Sequence, residues 1–405
     1  MSAVHDAVIV GAGPAGSSAA FYLARRGFDV LLLDKSRFPR DKTCGDGLTP
    51  RALAVLRDMG ILDDLLRVGC RVSGIDMFAP RGHELTVPVP SAPGSAEYLL
   101  IVPRLILDDA IRRRALAGGA AFQEQVDVVS VEREGDGVVV RGDQLGRPVA
   151  FRARLAIVAT GASLGLLRTM GIVEREPRMM LAARAYFEGM AGLSDRIQCH
   201  FDGVPLPGYG WIFPISPTAA NVGTGVIPVG LAGRLRRIPP RRIFDSFIQT
   251  PLLQRILGSA QRVGPVKGYP IRIDFHQART FADRVLLVGE AAGLANPLTG
   301  EGIDYALESG QIAAEHVSAM LASGDLSPAR LAGYDRQLRQ RFQRLFVMSS
   351  RLRGLYFNPP LLNRLVKAAR RHAGLRSMIG NVTVGNNGLD QGLSLGTLFQ
   401  VAFTP

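Results

Sequence analysis

Gly11, Gly13 and Gly16 stand in the spacing G-x-G-x-x-G, and Asp34 and Lys35 close the next apolar run. These residue types suit recognition of a pyrophosphate and a ribose. Gly11 permits a tight turn, Gly13 has no side chain to keep a pyrophosphate off the backbone, and Gly16 lets a helix lie close to a strand. Pro14 and Ala15 open that helix, whose free N–H groups and positive dipole end face an anion. Asp34 is placed to accept hydrogen bonds from a ribose diol. This chemistry needs particular elements around it. Ala7 to Val10 reads as a buried parallel strand, Ala15, Ala19, Tyr22 and Leu23 as the inner stripe of the helix, and Val30 to Leu33 as the next strand. Strand, helix, strand and acid fall in the order an adenine-dinucleotide site requires; a turn that binds nothing has no need of it.

A second segment has the same character. Arg284 to Val288 reads as a buried strand leading into Gly289-Glu290, then Pro297, then Gly300-Glu301-Gly302 and Ile303, where a long helix begins. Backbone N–H groups at that helix start again favour negative charge. Glu290 can accept from a ribityl hydroxyl, and the Pro297 to Gly302 loop can lie against an isoalloxazine ring. The competing reading is an ordinary strand-to-helix connection. Together the two segments account for both ends of FAD. Arg104, at the start of a predicted helix, either contacts that cofactor or is a surface helix arginine. No second G-x-G-x-x-G follows a strand, so the flavin's reductant is expected to be transient NAD(P)H or a protein electron donor.

Composition narrows the rest. The chain of 405 residues, 47% hydrophobic, can bury substantial cores. Cys44, Cys70 and Cys199 are too scattered for a disulfide framework, and the six histidines show no H-x-x-x-H pair, so a reducing compartment and no metal are expected. No basic leader precedes the nucleotide motif and no apolar stretch is long enough to span a bilayer, so the protein is expected in the cytoplasm, soluble or peripheral to the membrane. Net charge is +13, and Arg330 to Arg376 holds twelve Lys and Arg against the single acid Asp335. No nucleic-acid module is visible, which leaves an anionic membrane surface as the expected partner. Leu361, Leu362, Leu365, Val366 and Ala369 interspersed with Arg364, Lys367, Arg370 and Arg371 suggest an amphipathic basic helix resting on head groups; a solvated basic face is the alternative.

Along the chain, Thr49 and Pro50 suit the start of a helix, Val126 to Val131 and Val138 to Val140 suggest a hairpin, and Leu155 to Ala159 is another buried strand. From about Met179 to Tyr269 the pattern is mostly β, with one helix expected near Arg241 to Leu257. The expected fold is α/β (α+β, two domains): a Rossmann-like FAD-binding domain of the p-hydroxybenzoate hydroxylase and glutathione reductase type, an inserted antiparallel β-sheet substrate domain, and C-terminal helices. The expected bounds are 1–72 with 101–175 and 280–325 for the first, 73–100 with 176–279 for the second, and 326–405 for the third.

Tyr209, Trp211 and Phe213 alternate ahead of Pro214, so they share one face of a strand and can line a cavity for a long apolar ligand, or pack a core. With Gly11-Ala-Gly-Pro-Ala-Gly16, Phe38-Pro39-Arg40-Asp-Lys42-Thr-Cys44-Gly45-Asp46-Gly47 and Asn296-Pro297-Leu298-Thr299-Gly300-Glu301-Gly302, this segment carries a resemblance. Through almost its whole length the chain resembles the geranylgeranyl reductase family of FAD-dependent enzymes, and within it the bacterial menaquinone reductases. The resemblance implies that Tyr209, Trp211, Phe213 and Pro214 hold a prenyl chain, that Cys44 and Gly45 lie near the flavin's reactive face, and that Arg40 belongs to the cofactor site. Two departures stand out: Gly289-Glu290 where many relatives have Gly-Asp, and Thr160-Gly161 where hydroxylases have Asp-Gly.

The expected function is reduction of isolated double bonds in an isoprenoid lipid or quinone, by hydride from reduced flavin plus a proton from Cys44, Tyr209 or water. An inert buried cysteine is the alternative for Cys44. For the whole protein the alternatives are a flavin monooxygenase or halogenase acting on an aromatic or polyketide natural product, and a flavin-bearing binding or electron-transfer module.

Overall fold

A computed structural model of the chain describes residues 4–90, 96–228, 238–353 and 358–385. At its centre lies strand Val4–Val10, flanked in parallel by Val30–Asp34 on one side and by the end of Arg147–Val158 on the other. Val285–Leu287 and Ala121–Glu124 extend this parallel array outward. A parallel sheet is covered on both faces, which is why its strands read as unbroken apolar runs. The strand expected at Leu155 to Ala159 starts earlier, at Arg147, because its first half pairs antiparallel with the hairpin of Val126–Glu134 and Gly137–Gln144.

Helix Pro14–Ala24 is buried along its whole length. It crosses helix Ile303–Ser323 so closely that the Ser18 hydroxyl donates to the Leu307 carbonyl at 2.8 Å. Gly310 makes that approach possible: a Cβ there would sit 2.4 Å from the Ala15 carbonyl oxygen and 2.9 Å from the Ser18 Cβ.

A second sheet of seven strands runs Gln261–Arg272, Met179–Glu188, Ala219–Val226, Gly208–Ser216, Arg196–His200, Gly74–Phe78, Glu84–Pro88. All its pairs are antiparallel except Arg196–His200 with Gly74–Phe78. The single helix expected near Arg241 to Leu257 is two, Pro240–Ile248 and Pro251–Leu257. Pro251 explains the break, since it disfavours α geometry at Thr250 and offers no N–H. Thr49 caps helix Pro50–Asp58 as expected, accepting from the Ala52 N–H.

The C-terminal elements are helices Pro328–Leu352, Pro359–Ala369 and Ala373–Thr383; the remainder of the expected helical region, residues 386–405, lies outside the described residues. One expectation changes here. The apolar stripe of the basic helix, Leu362, Val366 and Ala369, is buried against the second sheet, in a cluster with Val87, Ile75 and Phe201. That stripe is therefore unavailable to lipid tails, and Arg364, Lys367 and Arg370 are what the helix presents outward. Among the described residues no helix is long and apolar enough to cross a membrane.

Gly310→Ala is expected to destabilise the protein by about 1–3 kcal/mol, because neither backbone at the crossing can retreat without loosening the core. Gly374→Ala, where a Cβ meets nothing within 4 Å, is the control and is expected to be neutral or slightly stabilising in denaturant titration.

Candidate active site

Both glycine-rich segments open onto one cavity of about 800 Å³. Gly11, Gly13, Pro14, Ala15, Asp34, Lys35 and Arg40 line one end, and Glu290, Gly300, Glu301, Gly302 and Ile303 line the other side of the turn. Cys44, Gly45 and Arg104 face the same space, as do Tyr209, Trp211 and Phe213. Four residues expected in the site stand behind the wall instead. Gly16 is wedged where a Cβ would fall 1.8 Å from the Gly11 carbonyl oxygen, and Gly289 (φ +58°) sits tight against Ala15. Pro297 gives its carbonyl to Arg353, and Pro214 falls on the alternate face of its strand from the three aromatics.

Asp34 accepts from the Ala12 and Ser36 N–H groups, both at 2.8 Å, which fixes the carboxylate at the strand end. Each oxygen keeps a lone pair for a further donor. Gly11 has φ +107°, a conformation that disfavours any side chain, and a Cβ there would also strike the Ala159 carbonyl. On the far side, Asn296 braces its own loop: its side-chain oxygen accepts from the Leu298 N–H, and its backbone N–H donates to the Glu301 carbonyl at 2.7 Å. Glu290 is already engaged, accepting from Lys42 Nζ at 3.1 Å and from the Arg272 N–H at 2.9 Å. The longer glutamate thus reaches a lysine of the Cys44 segment.

Arg104 is no surface arginine. Its buried guanidinium forks onto Asp108 at 2.6 and 2.8 Å, on the side of the cavity that Cys44 also lines. Burial alone would lower its pKa; Asp108 and the Cys44 sulfur more than reverse that and raise it. Arg40 joins from the other side, 3.1 Å from Asp108. Glu301 lies against Asp304, and burial followed by that like charge pushes its carboxyl well up, with Arg51 opposing.

Behind Cys44 lies a network that the motifs did not reveal. Asn221 donates to the Cys44 carbonyl at 2.7 Å and to Asp46 at 2.8 Å, and accepts from Trp211 Nε1 at 2.9 Å. Tyr186 donates to the same Asp46 oxygen at 2.7 Å. Asp46 lies within the Cys44-Gly-Asp-Gly47 run, but only the fold brings strand residues Tyr186 and Asn221 to it. Its carboxyl is fully buried, and burial raises it to about 6 while the Asn221 and Tyr186 bonds pull the other way. Gly45 meets the aromatics directly: a Cβ would fall 2.9 Å from the Phe213 ring. Tyr209 donates its hydroxyl to the Thr299 carbonyl at 2.5 Å, tying the aromatic strand to the proline loop. Toward its other end the cavity is apolar, lined by Met77, Ile197, Phe201 and Val384. Among the described residues no group of His, Cys, Asp or Glu is arranged to hold a metal, and the three cysteines are free thiols.

Residues 5–187 match the family described as FAD binding domain. A menaquinone reductase of Mycobacterium tuberculosis is 36% identical over 372 residues, covering 88% of this chain and 85% of the relative. A digeranylgeranylglycerophospholipid reductase of Methanopyrus kandleri is 31% identical, covering 84% and 88%. Among solved structures, a geranylgeranyl bacteriochlorophyll reductase-like protein of Thermoplasma acidophilum superposes with a TM-score of 0.80 at 22% identity, over 99% of this chain and 96% of that one. A flavin-dependent brominase superposes at 0.77 and 22%, over 95% and 94%. Likeness at such low identity speaks for the fold alone.

The chain is an FAD-binding protein. Its residues fit the group: Gly11, Gly13 and the following helix start can take the pyrophosphate, Asp34 a ribose, and the Gly300 to Ile303 backbone an anionic ring edge.

Asp46 yields a stability signature. A carboxyl protonated more readily in the folded chain than in the unfolded one, where aspartate titrates near ~3.9, stabilises the fold while protonated; that contribution fades as pH rises from about 4 to about 6. Asp46→Asn, which can still accept from Asn221 and Tyr186, escapes this loss. Its stability relative to wild type is expected to climb by on the order of 2–3 kcal/mol between pH 4 and pH 7, read from denaturant midpoints, and then to level off.

Proposed function

The chain belongs to the geranylgeranyl reductase-like family of FAD-dependent oxidoreductases, and from that membership we propose that it saturates isolated double bonds in the prenyl chain of an isoprenoid lipid, with a menaquinone-type or geranylgeranyl lipid as substrate. One observation carries this reading. The cavity that holds both flavin-binding segments continues, past Tyr209, Trp211 and Phe213, into an apolar end bounded by Met77, Ile197 and Phe201. An extended hydrocarbon tail fits such a space, and burial of its apolar surface drives entry.

An isolated alkene has no carbonyl to take up electron density, so saturation needs a hydride at one carbon and a proton at the other. FAD held by Gly11, Gly13, Asp34 and the Gly300 to Ile303 backbone would, once reduced, be the source of the hydride. The protein's part is to orient the chain, exclude water and deliver the proton. Trp211 and Phe213 hold the tail, and Gly45, whose missing side chain admits the Phe213 ring, lets those aromatics pack close to the Cys44 turn. We assign the proton to Cys44 Sγ. The positive charge of the Arg104 guanidinium, on the same side of the cavity, would offset the negative charge left on the sulfur. Tyr209 serves better as a brace than as the acid, since its hydroxyl proton is directed at the Thr299 carbonyl. The flavin's reductant is taken to be transient NAD(P)H or an electron-donor protein.

Contact with the cytoplasmic membrane surface is electrostatic in this reading. With its apolar stripe occupied by protein, helix Pro359–Ala369 offers Arg364, Lys367 and Arg370 to anionic head groups. Flotation with liposomes is expected to require anionic lipid and to fail at about 0.5 M salt, where exposed charges are screened. Salt-resistant binding to neutral liposomes would contradict it.

The function is tested by mass spectrometry of lipid extracts from cells that make prenyl lipids, with and without the protein. Prenyl lipids heavier by pairs of hydrogens are expected; gain of oxygen or halogen would indicate monooxygenase or halogenase chemistry instead. Cys44→Ser should keep its FAD and lose roughly a hundredfold or more of the reduction rate. Unchanged activity would remove Cys44 as the acid.

A further inference from the structure

Four arginines are buried among the described residues: Arg104, Arg184, Arg272 and Arg353. Three are neutralised in place, Arg104 by Asp108, Arg184 by Asp41 and Arg272 by Asp274. Arg353 is not. Its side chain follows helix Pro328–Leu352 and is only 7% exposed, yet no carboxylate among the described residues lies within ion-pairing distance. Its Nε finds no hydrogen-bond partner, and Nη1 reaches the Pro297 carbonyl only at 3.5 Å, the outer limit of a hydrogen bond. Arg353 also lines the cavity, on the side of Leu298, Thr299 and Gly300. Burial and the like charge of Arg178 push its guanidinium below the ordinary arginine range, as expected of a cation without a counter-charge.

A buried cation left unpaired costs stability, and among the described residues every other buried arginine is paired. Its planar fork of donors suits oxygen acceptors set side by side. The cavity's apolar end can take a hydrocarbon, but nothing apolar satisfies a guanidinium.

We propose that Arg353 is the head-group contact of the lipid substrate, donating hydrogen bonds to its oxygen atoms while the prenyl tail occupies the apolar end. The assignment rests on the prenyl-lipid reading given above. The shared chemistry is an oxygen acceptor on the head group, either a phosphate or a quinone carbonyl. The residue discriminates between lipids by their heads, whereas Trp211 and Phe213 respond to their tails.

The chain's single tryptophan, Trp211, lies in this cavity, so its emission, together with the flavin absorbance of the holoprotein, reports occupancy. Wild type and Arg353→Met holoprotein are titrated with geranylgeranyl diphosphate, menaquinone and a prenyl hydrocarbon lacking a head group. Arg353→Met is expected to weaken one head-bearing lipid at least tenfold, the affected lipid identifying the head class, and to leave the hydrocarbon unchanged. Because the variant removes an uncompensated charge, it is also expected to keep its FAD and to melt no lower than wild type. Equal effects on all three ligands, no effect on any, or a marked drop in melting temperature would overturn the assignment. Wild type that responds to none of the three would overturn the prenyl-lipid reading itself, and this assignment with it.

Discussion

The side-chain amide of Asn221 holds the reactive region together. It donates to the Cys44 carbonyl and the Asp46 carboxyl while receiving the Trp211 indole N–H, three bonds of 2.7 to 2.9 Å. Through that one group the cysteine turn, which belongs to the segment after the nucleotide-binding unit, is fastened to the central strands of the second sheet. Shape does the rest. Trp211 lies over Gly223, where a Cβ would fall 2.2 Å from the indole, and Phe213 presses on Gly45. Side chains at either glycine would lift the aromatics off the turn and unseat the amide. A buried polar group in such a setting is costly unless satisfied, so the network is either complete or disruptive.

The nucleotide-binding half depends on a related constraint, the close approach of backbones. Gly11, Gly16 and Gly310 each sit where an added Cβ would fall within 2.4 Å of a carbonyl oxygen. They draw helix Pro14–Ala24 down between the parallel sheet and helix Ile303–Ser323, so that two helix starts border the same cavity. Two positive dipole ends directed at one space favour a ligand that carries negative charge along its length. Glu290 and Lys42 link that half to the cysteine segment, so the cofactor side and the substrate side share a wall.

What could be read from residue order alone was local. The strand-turn-helix of residues 7–24 declares itself by an unbroken apolar run, glycine spacing and small residues, all within one short stretch. The alternation of Tyr209, Trp211 and Phe213 needs only the two-residue period of a strand, and the structure sets all three on the cavity. Partners distant in the chain stayed hidden: Asp46 with Tyr186 and Asn221, Glu290 with Lys42, Arg353 with the Pro297 loop. The basic helix shows the limit in another form. Spacing correctly marked a helix with one apolar stripe, but a stripe says only that it is buried, and here sheet residues such as Val87 bury it rather than lipid. The same ambiguity concealed Arg104, whose position on a helix resembles that of any surface arginine until Asp108 and Cys44 are placed beside it.

The proposed reaction requires direct transfer of reducing power from bound flavin to a prenyl double bond, without oxygen. The most direct test is anaerobic mixing of chemically reduced holoprotein with a prenyl lipid, following flavin absorbance near 450 nm in a stopped-flow instrument. The oxidised flavin band is expected to return without oxygen, in step with a lipid product heavier by two hydrogens for each flavin. Flavin that stays reduced until oxygen is admitted, with product then carrying oxygen or halogen, would contradict it.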